Sequence, residues 1–368
     1  MDTDCTAPVV SAHQRFAYAN GAARGNKMAE PHDAMLWEKL DGQTVRCGLC
    51  GHECVIAAGK YGICRVRQNV AGAMKSVNYG FMVAMHVDPI EKKPLFHFLP
   101  GTQSLSVASV GCNFQCEFCQ NWQISQLPRS GSWHPRAEEV ISPEQIVTVA
   151  TTHDCASIIY TYTEPTVFFE LAYETAQLAR KRGIRNCFVS NGYMTPSAVR
   201  TIAPYLDAIN VDLKAFRDET YQRVMKASLA PVLTCLESLV AAGVWVEVTT
   251  LVVPGMNDSS EELRDIAQFI AGRLGPHVPW HVSRFHGDYK MGHLPDTPIA
   301  SLQLACKLAA EAGLKYVYCG NVPGHASEST YCKACGELVI ERMGFAVRQM
   351  LLRDGACENC GAKIEGLW

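Results

Sequence analysis

The chain predicts an α/β fold: a partial, open-sided, TIM-like (β/α)6 barrel, with a small cysteine-rich domain before it and a cysteine-paired ribbon after it. Three observations predict this. From about residue 104, short β-branched runs alternate with longer segments of helical period. Each run ends in polar residues. Eleven of the 17 cysteines fall in three tight groups, one in each expected domain. The expected divisions are a disordered tail over 1–34, the cysteine-rich domain over 35–100, the barrel over 101–325 and the ribbon over 326–368.

The expected strands are Leu105–Val110, Ser157–Tyr162, Asn186–Ser190, Ala208–Leu213, Trp245–Val252 and Trp280–Arg284, with Lys315–Tyr318 as a further candidate. Between them, Ser142-Pro143-Glu144-Gln145 starts a helix with an N-cap serine, proline at N1 and a capping-box glutamine. Thr195-Pro196 and Ala230-Pro231 start two more in similar style. Gly183, Gly243 and Gly313 each stop a helix by accepting the left-handed C′ conformation. Repeated strand–helix units imply a parallel sheet with right-handed crossovers. In such a sheet chemistry belongs in the loops at the carboxyl ends of the strands.

The polar residues sit where that rule asks. The first strand leads into Gly111-Cys112-Asn113-Phe114-Gln115-Cys116-Glu117-Phe118-Cys119, a CxxxCxxC run. Three soft thiolates in one loop select an iron–sulfur cluster or zinc over hard cations. Three ligands on a cubane leave one iron free to bind something else. The next strand ends at Thr163-Glu164-Pro165, and the third at Ser190-Asn191-Gly192. Asp212 and Lys214 flank Leu213, so their side chains point the same way. The fifth strand runs to Pro254-Gly255-Met256-Asn257, and the sixth leads to His286. Gly111 and Gly192 would let the backbone pass close to a bound group. Singly, each of these residues has a plain structural reading; six successive strand ends delivering polar groups to one rim are harder to set aside.

The two flanking groups differ in regularity. Cys332-x2-Cys335-Gly336 and Cys357-x2-Cys360-Gly361 form two knuckles, with Glu337–Leu352 reading as a hairpin around Met343-Gly344. Four thiolates on two such turns close a tetrahedral site, read as structural zinc, although iron would use the same ligands. The N-terminal group, Cys47-x2-Cys50-x3-Cys54-x9-Cys64, lacks the ferredoxin spacing. It reads as a closed site for zinc or a second iron–sulfur cluster, zinc first. Cys187 and Cys319 lie in apolar strand-like runs and read as packing residues.

With these residues in hand, the chain resembles the radical SAM superfamily. Within it, the chain is similar to the radical SAM enzymes of the AmmeMemoRadiSam system, which in turn resemble the activating enzymes of pyruvate formate-lyase. The stretches that carry the resemblance run from RCGLCGHECVIAAGKYGICRVRQN through VDPIEKKPLFHFLPG, GCNFQCEFCQNWQISQ, YTYTEPT, VSNGYM, NVDLKAF, VVPGMND, SRFHGDYKM and YCKACG to CENCGAKIEGLW. The resemblance implies a [4Fe-4S] cluster on Cys112, Cys116 and Cys119, and reductive cleavage of S-adenosylmethionine to a 5′-deoxyadenosyl radical that abstracts hydrogen. It implies that Glu164, Ser190, Asn191, Asp212 and Lys214 surround that cofactor. Glu164 is the expected acceptor for its ammonium, and Ser190 and Asn191 are the expected ribose partners. Lys214 and His286 are catalytic candidates. Implied partners are a low-potential electron donor such as flavodoxin or ferredoxin, and pathway proteins of AMMECR and Memo type. One departure stands out: where pyruvate formate-lyase activase has an arginine on the fifth expected strand, this chain offers Thr249.

Three functions therefore compete. The first is a radical SAM enzyme, oxidoreductase or lyase-like, with a substrate not legible from the sequence. The second installs a glycyl radical on a partner enzyme. The third is a non-enzymatic zinc-ribbon binding protein. A formal charge of −3 and balanced charges around the ribbon argue against a nucleic-acid partner. No run of eighteen apolar residues suggests a membrane span, and clustered cysteines without an apolar leader suggest a reducing cytoplasm.

Overall fold

The computed structural model describes residues 30–131, 133, 139–322, 324 and 326–368. Most of the expected tail lies outside the described residues. Its end is ordered: His32–Asp33 is a strand paired antiparallel with Ala73–Ser76.

Among the described residues the main sheet has eight strands, in sequence order from one edge to the other. They are β1 (Met82–Pro89), β2 (Gln103–Ser109), β3 (Ser157–Tyr160), β4 (Arg185–Ser190), β5 (Ala208–Asp212), β6 (Trp245–Val252), β7 (Trp280–Arg284) and β8 (Val317–Gly320). β2 to β8 pair in parallel, and the two edge strands do not pair with each other. Six helices make the crossovers: α1 (Pro143–Thr152), α2 (Phe169–Lys181), α3 (Pro196–Ile202), α4 (Leu229–Ala241), α5 (Ser260–Phe269) and α6 (Ile299–Glu311). The six strand–helix units are thus present, and β8 adds a seventh parallel strand. β1 is an addition: it pairs antiparallel with β2, so the sheet takes its edge from the segment before residue 101.

Local chemistry accounts for the helix starts. Ser142 forms the full capping box with Gln145, and Thr195 accepts from the Ala198 amide. α4 begins at Leu229, so Pro231 falls inside its first turn. The strands read as continuous apolar runs because both faces are covered. Ile158, Tyr160, Phe188, Ile209 and Val211 belong to the large core shared with the helices. The alternating residues Ile159, Cys187 and Ala208 face an inner cluster plugged by Ile90, Leu95 and Phe98. Cys187 is therefore a packing residue, as expected. Cys319 is buried too, but its sulfur lies 3.2 Å from that of Cys306.

The ribbon packs against the amino-terminal ends of the strands, away from the rim. Val339, Ile340 and Ile364 share a small core with Phe96, Tyr316 and Tyr318. A buried polar network joins them. Glu247, near the start of β6, accepts from the Phe96 amide (3.0 Å), the His97 amide (2.8 Å), Trp245 Nε1 (3.1 Å) and His281 Nε2 (2.6 Å). Burial holds His97 neutral, down to about 4. Its Nδ1 donates to the Glu365 carbonyl and its Nε2 accepts from Tyr318. Arg342 from the ribbon donates to the Phe96 carbonyl at 2.6 Å.

Within the ribbon, Leu338–Met343 and Ala346–Met350 form the expected hairpin, turning at Gly344 with φ 60°. The Gly336 and Gly361 amides each donate to the carbonyl of the first cysteine of their knuckle at 2.8 Å. This brings the thiols of Cys332, Cys335, Cys357 and Cys360 within 4.8 Å of one another. Cys332 and Cys360 are 3.7 Å apart, and Cys335 and Cys357 3.8 Å. A tetrahedral metal with bonds of about 2.3 Å holds its thiolates about 3.8 Å apart, so the group could bind one metal ion.

Candidate active site

The three-cysteine loop follows β2 directly and is fixed on three sides. Its Gln115 and Glu117 amides donate to the carbonyls of Met225 and Val224 at 2.9 and 3.3 Å. Phe114 packs edge-on against Tyr193, with ring centroids 4.9 Å apart. Gly111, at φ 99°, approaches Val66 so closely that an added Cβ would lie 2.9 Å from it. Gly192, at φ 67°, likewise abuts Val211 at 2.6 Å. Both close approaches are to packing valines.

Cys116 is buried, and Cys112 and Cys119 are half-buried. Among the described residues, these three sulfurs do not form a group as tight as that of the ribbon. Burial pushes the Cys112 thiol far above its ordinary value, with Glu164 and Cys116 adding to the effect. Burial pushes Cys116 up to about 12 against the pull of Lys214. Thiolates form here only against compensating positive charge, which a bound metal supplies. The Phe114 amide already points at Cys112 Sγ, 3.4 Å away.

Glu164 is the hub of the neighbouring loops. Only 1% exposed, it accepts from the Thr166 amide and hydroxyl (3.0 and 2.5 Å), the Ser190 hydroxyl (2.8 Å) and the Asn191 amide (2.8 Å). Burial raises its carboxyl and these donors oppose the rise. Its contacts are to the chain itself, so it ties the loops after β3 and β4 together. Ser190 is committed to that tie and also accepts from the Gly192 amide. Asn191 turns the other way: its Nδ2 donates to Asn113 Oδ1 at 2.7 Å and lies 3.9 Å from Cys112 Sγ.

Asp212 and Lys214 do share a face and form an ion pair at 2.7 Å. Although burial works against its charge, Asp212 and Cys116 hold the Lys214 ammonium well above the ordinary lysine range. It lies 5.9 Å over the Phe118 ring. Asn257 fastens this loop by donating to the Lys214 and Leu251 carbonyls, both at 2.8 Å. His286 is exposed and pairs with Gln120, next to Cys119, at 2.7 Å. All six expected strand ends therefore meet at one rim.

Sequence reading missed three supports. Arg129 donates to the Cys112 carbonyl (3.0 Å) and the Ile63 carbonyl (2.9 Å), and His52 Nε2 donates to the Asn113 carbonyl (2.9 Å). The Cys50–Met194 bridge adds a backbone tie. Together they dock the N-terminal cysteine group onto the rim. These contacts span long separations and leave no local spacing signal.

The sequence profile of the radical SAM superfamily matches residues 106–270, the span from β2 into the end of α5. The chain belongs to the radical SAM superfamily. It is 46% identical over 335 residues to Uncharacterized protein MJ0808 of Methanocaldococcus jannaschii, covering 90% of this chain and 98% of that one. It is 30% identical over 112 residues to the (2S)-3-sulfopropanediol dehydratase activating enzyme of Klebsiella oxytoca, covering 30% of this chain and 35% of that one. Among solved structures, a radical SAM methyltransferase from Sphaerobacter thermophilus superposes with a TM-score of 0.47 and 17% identity, over 66% of this chain and 71% of that one. Membership in the superfamily implies a [4Fe-4S] cluster and S-adenosylmethionine. Among the described residues, no single helix is long and apolar enough to cross a membrane.

Proposed function

We propose that this chain is a radical SAM enzyme whose Cys112, Cys116 and Cys119 hold the [4Fe-4S] cluster. The observation that carries the reading is the rim itself: three soft thiols on one braced loop, with Asn191, Lys214 and His286 arriving from three other strands. The donor set fits the group, since thiolates are its usual ligands. When bound, cluster and S-adenosylmethionine supply a 5′-deoxyadenosyl radical for hydrogen abstraction. Within this reading, Glu164 is a positioning residue that fixes the two loops beside the cysteines. Asn191 offers an N–H toward Cys112, which stabilises a thiolate. The Asp212–Lys214 pair and His286 are the polar groups left to meet the cofactor's zwitterion or the substrate. Protein reconstituted without oxygen and given a strong reductant is expected to form 5′-deoxyadenosine; none above the cofactor's spontaneous breakdown would refute the reading.

Glycyl-radical activation is the second reading, favoured by the similarity to an activating enzyme, which spans 30% of this chain. A stable glycyl EPR doublet on a partner protein would distinguish it. A flavodoxin- or ferredoxin-like electron donor, and AMMECR- and Memo-type pathway proteins, complete the proposal. For the ribbon we assign zinc, because its S–S spacings fit one tetrahedral ion. Cys335→Ala is expected to lose one zinc per chain with iron unchanged. Full zinc content in that variant would remove the assignment.

A further inference from the structure

The N-terminal cysteines converge as well, and they do so at the rim. Cys47, Cys50, Cys54 and Cys64 line one cavity together with Arg67 and Asn113. All four thiols are free. Three features set this group apart from the ribbon. First, among the described residues no three of its sulfurs lie within 4.8 Å of one another, whereas all four of the ribbon do. Thiolates on one zinc sit about 3.8 Å apart, whereas a multi-iron cluster spreads its cysteines around a larger inorganic body. Second, the cavity is bordered by buried donors with nothing to donate to: Arg67 Nε and Asn113 Nδ2 have no hydrogen-bond partner, in residues 2% and 1% exposed. A buried unpaired donor is costly. Inorganic sulfides and thiolates are acceptors that would satisfy both. Third, Arg67 is a buried cation 2.8 Å from Glu170, on the wall of a site whose occupant would be anionic.

We infer that these four cysteines seat a second iron–sulfur cluster, reversing the preference for zinc that the sequence alone suggested. The site abuts the three-cysteine loop: Asn113 is next in sequence to Cys112, and His52, which also lines the cavity, donates to its carbonyl. The inference does not depend on the radical reading, since it concerns a separate set of ligands.

The test is metal and sulfide analysis of the full chain, reconstituted anaerobically with iron and sulfide, in three forms. The parental protein is expected to hold about eight irons, as two four-iron clusters, plus one zinc. The C112A/C116A/C119A variant is expected to keep about four irons, with acid-labile sulfide and the broad visible absorption of a cluster. C47S/C64S is expected to lose the same share while the three-cysteine loop keeps its own. Two zincs per chain, with about four irons in the parental protein and none in the triple variant, would overturn the inference. Should the triple variant fail to fold, the parental iron-to-zinc ratio decides alone. Absence of 5′-deoxyadenosine from the parental protein, with iron retained in the triple variant, would instead count against the proposed function and leave this site standing.

Discussion

Cys112→Ala is expected to abolish 5′-deoxyadenosine formation outright and to remove the iron held at the three-cysteine loop. Cys112 is the thiol that the rest of the rim is built around. Its amide neighbour Phe114 and the Asn191 side chain point at its sulfur, and Arg129 holds its carbonyl. Two cysteines cannot anchor the same body at three corners, so the effect should be a loss and not a graded decline. The loop has independent supports in Phe114, Gln115 and Glu117, so the variant should still fold. Thermal unfolding close to that of the parental apoprotein would show this. Turnover at the parental rate would mean that the site is misassigned.

The second large effect is at the opposite end of the barrel. Glu247→Ala is expected to destabilise the fold by ~3–5 kcal/mol, the usual consequence of removing one partner from a buried charged network. Four donors converge on this carboxylate, including two backbone amides of the segment that plugs the barrel. Burial pushes the carboxyl up, but the hydrogen bonds from His281 and from the Phe96 amide help outweigh it and hold it below the ordinary glutamate value. A depressed folded value fixes the sign. The stabilisation is complete above the ordinary glutamate range, and it fades as the pH falls through that range towards the folded value. Glu247→Gln should flatten this acid limb, measured by chemical denaturation across pH. An unchanged limb would show that other carboxylates set it.

Much of this was legible in the sequence because the signals are local. β-branched runs between capped helices gave the parallel strands. Ser142 and Thr195 marked helix starts through chemistry confined to four residues. The one-residue spacing of Asp212 and Lys214 was enough to place both on one face. What escaped depends on partners far along the chain. β1 lacks clean alternation, and its place in the sheet is set by pairing with β2. Arg67 and Glu170 meet across 103 residues, and Glu247 reaches Phe96 across 151. The position of Glu164 at a strand end was legible, but its contacts with Ser190, Thr166 and Asn191 could be read only once the loops were folded together.

The most direct measurement is the low-temperature EPR spectrum of the anaerobically reconstituted, reduced protein, taken with and without S-adenosylmethionine. The C47S/C64S background isolates the three-cysteine loop. The account predicts a reduced four-iron signal whose g-values shift when the cofactor is added, because the iron without a cysteine takes it as ligand. A loop that carries zinc and gives no signal, or a cluster whose spectrum is indifferent to the cofactor, would contradict it.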